Sequence, residues 1–417
     1  MKKFKSDKFI LILFCMYIYP IIFQKISIIS YVLIYGVPVI YLLLNIKLLV
    51  KLFHHISKNQ FICMILVVIM FVLSYLLPLH HGTGDFTYVR TVTFILRKLL
   101  IYVFLMMVLW KKYKEKTSVE HFMYYFSLAT VLYVISTLVL TMLPSLKSFW
   151  LSMATSEFEM NLFESYGYAM RVGWQGYSGF RCTFRCTLTV AFLMYFLLTK
   201  DMTISIKKEK ISILLLFAFM GNAFYGRSGL VVSLLTVILA MILAGKIGLK
   251  RIVQLTLIAI CGFFILSFLG KTNSVLQDWY IWMSTPFKNF FTTGSFNNYS
   301  VDHLVNDMLF IPSNKTLVFG DGYYTNSTTN SYYMETDSGL MRQLLFWGVI
   351  GTSVSYGCVL ILFSSFKDKY KMLSIILLLG FIIFEIKGEV YYEYIPLLVV
   401  FIQMILLEKR KIYQKTT

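Results

Sequence analysis

The chain has 417 residues, of which 58% are hydrophobic, 17% aromatic and only 14% charged, and its formal net charge is +19. Soluble domains hold roughly 45–50% apolar residues, whereas here apolar runs of membrane-spanning length recur from end to end. A soluble enzyme and a nucleic-acid binder are thereby excluded, and with only seven prolines and 23 glycines so is a disordered chain.

Twelve apolar stretches predict helices: residues 9–23, 27–45, 61–79, 91–110, 121–143, 181–199, 211–226, 228–244, 252–270, 338–363, 372–392 and 394–407. The expectation is an all-α, polytopic integral membrane helix bundle of about twelve transmembrane helices, a single membrane domain over 1–417. The first stretch follows Met1-Lys2-Lys3, which mimics a signal peptide. No small-residue cleavage site follows, so a retained helix is expected. Alternate connections are lysine-rich. Residues 1–8, 46–60, 111–120, 200–210, 245–251, 364–371 and 408–417 hold 25 of the 39 Lys and Arg but only 7 of the 20 acids. One side therefore carries +18 and the other +1. Cytoplasmic loops gather such an excess, which predicts that both termini are cytoplasmic. It also assigns the basic charge to topology and anionic-lipid contact.

On the opposite side two connections are long, about 144–180 and 271–337, and long segments beside a rigid scaffold carry function. The second mixes amides and hydroxyls (Thr325-Asn326-Ser327-Thr328-Thr329-Asn330-Ser331) with Trp279, Tyr280, Trp282, Phe290, Phe291, Tyr299, Tyr323, Tyr324, Tyr332 and Tyr333. That combination suits a polar ligand with apolar C–H faces, such as a sugar. A membrane-interface belt is the simpler account of any single ring.

Several spans are short. The apolar parts of 372–384 and 395–407 have 13 residues each, about 20 Å of helix against a hydrocarbon core of about 30 Å. Between them runs Glu385-Ile386-Lys387-Gly388-Glu389-Val390-Tyr391-Tyr392-Glu393, and the pair 211–226 and 228–244 turns at Gly226-Arg227-Ser228-Gly229. Charges at membrane depth must face protein or water. The expectation is a charge-lined, water-filled cavity open to the outside, with Lys387 among its binding groups.

Cys15, Cys63, Cys182, Cys186, Cys261 and Cys358 are scattered, mostly in apolar runs, and read as small hydrophobes. Cys182 and Cys186 lie four apart without the further ligands zinc needs, and His80-His81-Gly82-Thr83-Gly84-Asp85 has no matching motif, so no metal is expected.

Arginines on the outer side stand apart from the lysine-rich face: Arg90, Arg171, Arg181, Arg185, Arg227 and Arg342, with Arg97 deeper in its span. A guanidinium fork binds phosphate bidentately and keeps its charge when desolvated. Arg181 and Arg185 are four apart on one predicted helix and would form a two-pronged anion site; snorkelling to lipid phosphates explains Arg185 equally well. Arg227 sits at a short hairpin apex, where function is the better reading. His303, in the long outer segment, offers a general base for an activated hydroxyl, although a lone loop histidine is more often simply solvated.

The densest constellation is Phe319-Gly320-Asp321-Gly322-Tyr323-Tyr324, followed by Ser331-Tyr332-Tyr333-Met334-Glu335-Thr336-Asp337-Ser338-Gly339-Leu340-Met341-Arg342. Gly320-Asp321-Gly322 predicts a tight turn. Asp337 can cap the following span, and Arg342 lies one turn in from Ser338. Carboxylate, helix N-terminus and arginine are expected to converge as an anion and hydroxyl site.

This run resembles the Wzy-type polymerases of bacterial O-antigen and capsular polysaccharide. Those proteins show a Gly-Asp-Gly-Tyr turn, then Tyr, then Asp-Ser-Gly and Arg before a span ending in Gly, for which Trp347-Gly348-Val349-Ile350-Gly351 stands here. Arg227-Ser228-Gly229 is similar to their Ser-Arg-Ser/Thr apex, with Gly226 where Ser is common. The resemblance implies a fold like that of integral-membrane (GT-C-like) glycosyltransferases in the bacterial cytoplasmic membrane. It implies metal-independent, cofactor-free transfer of a growing glycan from a polyprenyl diphosphate carrier. Its implied catalytic residues are Arg227 and Arg342, with His303 or Asp337 as base. Arg171, Arg181, Arg185, Asp321, Tyr323, Tyr324 and Lys387 would bind substrate. Implied partners are the polyprenyl-diphosphate-linked oligosaccharide, membrane lipids, and flippase and chain-length regulator proteins; no nucleic acid is among them. Metal-dependent membrane glycosyltransferases normally place an acidic pair in the first outer loop, which here is about Gln24-Lys25. A lipid-linked oligosaccharide flippase and an O-antigen ligase are the rival readings.

Overall fold

The computed structural model describes residues 6–156, 159–161, 171–177, 179–200, 202–246, 248, scattered positions between 268 and 294, 302–326 and 331–416. The ninth expected span, 252–270, falls almost wholly outside the described residues, as do Trp279, Trp282, Phe290, Tyr299 and 327–330.

Helix dominates. In chain order come α1 (Lys8–Ile18), α2 (Gln24–Leu44), α3 (Ile46–Phe53), α4 (Lys58–His80), α5 (Tyr88–Tyr113), α6 (Val119–Met142) and α7 (Pro144–Ala154). A two-residue hairpin follows, β1 (Val172–Gly173) antiparallel to β2 (Gly176–Tyr177). The remaining helices are α8 (Phe180–Leu198), α9 (Lys208–Tyr225), α10 (Arg227–Leu243), α11 (Asn314–Phe319), α12 (Gly339–Lys367), α13 (Lys371–Lys387) and α14 (Tyr391–Thr416). The other eleven expected stretches each overlap a helix. Among the described residues seven helices are long and apolar enough to cross a membrane: α2, α4, α5, α6, α8, α12 and α14. Lys8–Ile18 and Arg227–Leu243 are apolar but shorter. The chain is an all-α membrane protein.

The chain forms two compact units: Met1–Ile34 with Met123–Asn298, and Tyr35–Phe122 with Tyr299–Thr417. In the first, α8 is the axis, with every residue from Cys182 to Phe196 buried. A helix buried on all sides belongs inside a bundle, and α9 and α10 pack on it. Close approach depends on Gly221, where a Cβ would come within 2.5 Å of Val134 and 2.6 Å of Cys186. In the second unit α5 packs on α14, and α12 on α13, α14 and α4. Phe61, Ile65, Val68, Val72 and Leu76 of α4 stay exposed, a face suited to lipid.

α12 does not end at the Gly348–Gly351 run. It breaks at Gly348 (φ 66°, ψ −176°) and continues to Lys367. Two carbonyls before the break are taken up by the Gly320-Asp321-Gly322 turn: the Asp321 N–H donates to Leu345 O (2.7 Å) and the Gly322 N–H to Phe346 O (3.3 Å). Any side chain at Gly348 would strike Val318 O at 2.2 Å, so glycine meets both the left-handed backbone and the contact. Non-helical backbone at membrane depth needs such internal partners.

Candidate functional site

Arg342 anchors the site in the second unit. Ser338, not Asp337, is the N-cap of α12: its side chain accepts from the Met341 N–H, and Asp337 is exposed one residue earlier. This corrects the expected cap, and the reason is geometric, because a cap must be the residue flanking the first helical one. One turn in, the Arg342 side chain is 8% exposed and its guanidinium lies between two rings, its Cζ 4.2 Å from the Tyr324 centroid and 3.7 Å from that of Tyr332. Stacking of this kind is worth about 2 kcal/mol when desolvated.

The carboxylate that meets Arg342 is Glu389, 3.5 Å from Nη1. Its other oxygen accepts from Gln343 Nε2, and Tyr324 OH donates to Oε2. Tyr88 OH donates to Gln343 Oε1 (2.8 Å) and lies 2.5 Å from Tyr391 OH. Thr91 donates to Tyr324 OH at 3.2 Å. Buried polar groups are costly unless satisfied, and here most are paired. Arg342 Nε is buried without a hydrogen-bond partner among the described residues.

The three glutamates of the α13–α14 hairpin are 3%, 5% and 2% exposed (Glu385, Glu389, Glu393). Glu385 accepts the N–H groups of Val390 (2.7 Å) and Tyr391 (3.0 Å) at the start of α14, and Tyr356 OH donates to it. Glu393 lies 3.8 Å from Lys98 Nζ, halfway along α5. Protein therefore surrounds these three carboxylates. Lys387 is half-buried at the end of α13 and engaged.

Asp321 accepts from Thr316 Oγ1 (2.8 Å) and Tyr333 OH (3.3 Å), while Tyr323 stacks on Tyr333 at 5.1 Å. Asp321 thus holds the turn, and Tyr323 and Tyr333 form a ring pair beside it. Burial, and behind it the Asp321 carboxylate, push the Tyr333 hydroxyl above its ordinary value. Asp85 accepts the N–H groups of Tyr324 and Thr325, both at 2.7 Å, and ties their loop to the α4–α5 connection. Burial alone would raise the Asp85 carboxyl, but hydrogen bonds from Thr87, Thr325 and Tyr324 outweigh it and hold the group below the usual carboxylate range.

His303 pairs with Asp307 one turn on, Nδ1 to Oδ2 at 2.5 Å, and is partly exposed. A proton on Nδ1 leaves Nε2 as the accepting nitrogen, the arrangement a general base needs.

In the first unit Arg185 is 4% exposed, donates from Nη1 to Ile18 O (2.8 Å) and lies over the Tyr19 ring. Arg181 is exposed one turn before it. The expected two-pronged site does not form, because Arg185 is spent on a backbone carbonyl and a ring. Arg171 and Arg227 are half-buried and engaged, Arg171 just before β1 and Arg227 at the start of α10. The hairpin apex is pinned by Thr183, whose hydroxyl lies 2.9 Å from Asn222 Oδ1 and 3.1 Å from Gly226 O.

Sequence reading brought Arg342, Tyr324 and the Gly-Asp-Gly turn to one place. It left Glu389 and Tyr391 in a separate charged hairpin, not joined to Arg342, and did not single out Gln343 or Tyr88. The available signal was the run of glutamates at four-residue spacing, 385, 389 and 393. Among the described residues no group of three His, Cys, Asp or Glu is arranged to hold a metal. Neither a family model, nor a curated protein, nor a solved structure matches this chain.

Proposed function

We propose that the chain is a membrane glycosyltransferase that polymerises polyprenyl-diphosphate-linked oligosaccharide repeat units into capsular or O-antigen polysaccharide. It acts at the outer face of a bacterial cytoplasmic membrane, with about twelve spans, a GT-C-like arrangement and cytoplasmic termini. The observation that carries this reading is Arg342: a desolvated guanidinium at a helix N-terminus, held between tyrosine rings. A lipid diphosphate leaving group develops negative charge as the glycosidic bond breaks. A fixed guanidinium and the first-turn N–H groups of α12 stabilise that charge. The Tyr323–Tyr333 pair offers ring faces for sugar C–H groups, and His303, paired with Asp307, takes the proton of the attacking hydroxyl.

Deletion of the gene should leave single repeat units and remove long polymer on a gel. Arg342→Ala should lower polymer formation by about a hundredfold, the cost of one oxyanion donor. Arg342→Lys should fail nearly as badly, since an ammonium has neither the planar fork nor the ring-stacking face. Long chains persisting in the deletion strain would end the proposal.

The buried Lys98–Glu393 pair favours a second reading, a flippase for the same lipid-linked sugar, because intramembrane ion pairs mark transport pathways. The site of accumulation separates the two: inner leaflet in a flippase mutant, outer leaflet in a polymerase mutant.

A further inference from the structure

Arg342 is inaccessible as it stands. One side is closed by Tyr324, itself 6% exposed and bonded to Glu389. The other is closed by Tyr332, whose ring approaches to 3.7 Å while remaining 40% exposed. The inner ring is fixed by a hydrogen-bond network; the outer ring is partly open to solvent. Behind it the guanidinium holds a buried donor, Nε, that nothing else among the described residues satisfies. A buried unpaired donor of a charged group costs free energy until an acceptor arrives.

The segment carrying Tyr332 is also strained. Met334 (φ 55°) and Glu335 (φ 54°) both occupy the left-handed region, with neither glycine nor asparagine at either place. Consecutive non-glycine residues there are rare, and such strain collects at clamps and switches. Upstream, Tyr332 bridges to Thr325, with the Asn326 N–H donating to Ser331 O at 2.9 Å and the Tyr333 N–H to Tyr324 O at 3.2 Å. Thr325 and Tyr324 are in turn fixed by Asp85. The cover thus has a fixed base on one side and a strained joint on the other.

We infer that Tyr332 is a displaceable lid over an oxyanion site on Arg342, and that a phosphoryl-bearing ligand gains Nε and the free edge of the guanidinium by moving that ring aside. This deepens the proposed function, since the ligand it names is the carrier's diphosphate, but the inference stands on access to one side chain and is tested without turnover. When the ring leaves, the arginine exchanges a π face for two anionic oxygens, and strain at Met334–Glu335 is released in the same movement. Tyr332 acts through Arg342 and is a positioning residue.

The test is the reaction of Arg342 with phenylglyoxal in the full chain in lipid nanodiscs, followed by peptide mass spectrometry. Native protein should react slowly. Tyr332→Ala should raise the rate about tenfold, as expected for loss of one desolvated ring contact. Inorganic pyrophosphate should then restore protection of Arg342. Met334→Asn, at an exposed position, provides a variant that leaves the lid in place. Asparagine tolerates the left-handed region without glycine's added chain freedom, so it should hold the lid shut and slow the labelling of the otherwise native chain. An equal rate in native protein and Tyr332→Ala would overturn the lid. Failure of pyrophosphate to protect the variant would overturn the oxyanion site, and a Met334→Asn chain that labels as fast as native would overturn the strained joint. None of these readings depends on polymer being made, so polymerase activity and the lid can fail separately.

Discussion

The two units bury polarity in different ways. In the first, the described polar interior is neutral apart from Arg185. Thr183, Thr187, Asn222 and Ser233 are 0–5% exposed and bond to one another across α8, α9 and α10. Thr130 receives the Tyr19 hydroxyl in the same way. In the second, neutral groups such as Gln60 and Gln403 are joined by two buried ion pairs: Arg342 with Glu389, and Lys98 with Glu393. Neutral hydroxyl and amide contacts between membrane helices contribute about 0.6 kcal/mol each and act by fixing how closely helices approach. A charge at membrane depth costs about 3 kcal/mol or more on insertion scales. The first arrangement is how a membrane bundle is pinned. The second is expensive for pinning alone, and it lies where the candidate site is.

The sharpest way to break this contrast is to remove the ion pairs. Lys98→Met leaves Glu393 as a buried charge without its lysine and should destabilise the protein by about 3–5 kcal/mol. Adding Glu393→Leu removes the second charge, and the double variant should regain most of that loss. Thermal unfolding in nanodiscs reads both. A single variant as stable as native would show that water reaches the pair, making it no more costly than a surface bridge.

The same contrast explains what could be read from the sequence. Apolar runs and lysine-rich connections marked eleven helices because burial in lipid requires long unbroken apolar stretches, and a span needs no partner to be recognised. Arg342 and Gly320-Asp321-Gly322 were visible for a related reason: charge and turn residues stand out beside apolar helix. Pairings were not legible. Glu389 meets Arg342 across 47 positions of chain, and Lys98 meets Glu393 across 295. Nothing local in either residue says which partner the packing will bring. Asp337 misled because two adjacent residues, Asp337 and Ser338, are both good caps, and only the backbone decides which flanks the helix. Arg181 and Arg185 misled because four-residue spacing sets a shared face but not what the neighbouring Ile18 carbonyl and Tyr19 ring will claim.

A smaller effect sharpens the neutral half of the comparison. A Cβ at Gly229 would lie 2.2 Å from Thr183 Oγ1 and 2.3 Å from Asn222 Oδ1. Both atoms belong to side chains already committed to each other and to the apex carbonyl of Gly226. Gly229→Ala should therefore cost about 1–3 kcal/mol by overpacking, with α9 and α10 forced apart. Restoring space with Thr183→Ser, which removes a methyl while keeping the hydroxyl, should recover little, because the clash is with oxygen. Full recovery would mean that the Thr183 methyl, and not the hydrogen-bond network, sets the spacing. The readout is the melting temperature of the two single variants and the double.

The weakest expected effect lies outside the membrane-spanning helices, where the two kinds of polarity can be compared in water. Asp85 clamps the backbone of Tyr324 and Thr325 with a carboxylate held below the usual range. A depressed carboxyl contributes stability that is fully present above its unfolded value, about 3.9, and is lost as pH falls through the folded value. Asp85→Ala should therefore lower stability by about 1 kcal/mol at neutral pH, a figure kept small because solvent screens a half-buried group. The gap between native and variant should stay constant from pH 7 to about 5 and close in stronger acid. Since Tyr324 lies under Arg342, the same variant should loosen the inner ring before it affects the fold. A gap that widens on acidification would show that protonated Asp85 is the better clamp, and would place the charge of this loop with the exposed ion pairs that contribute nothing.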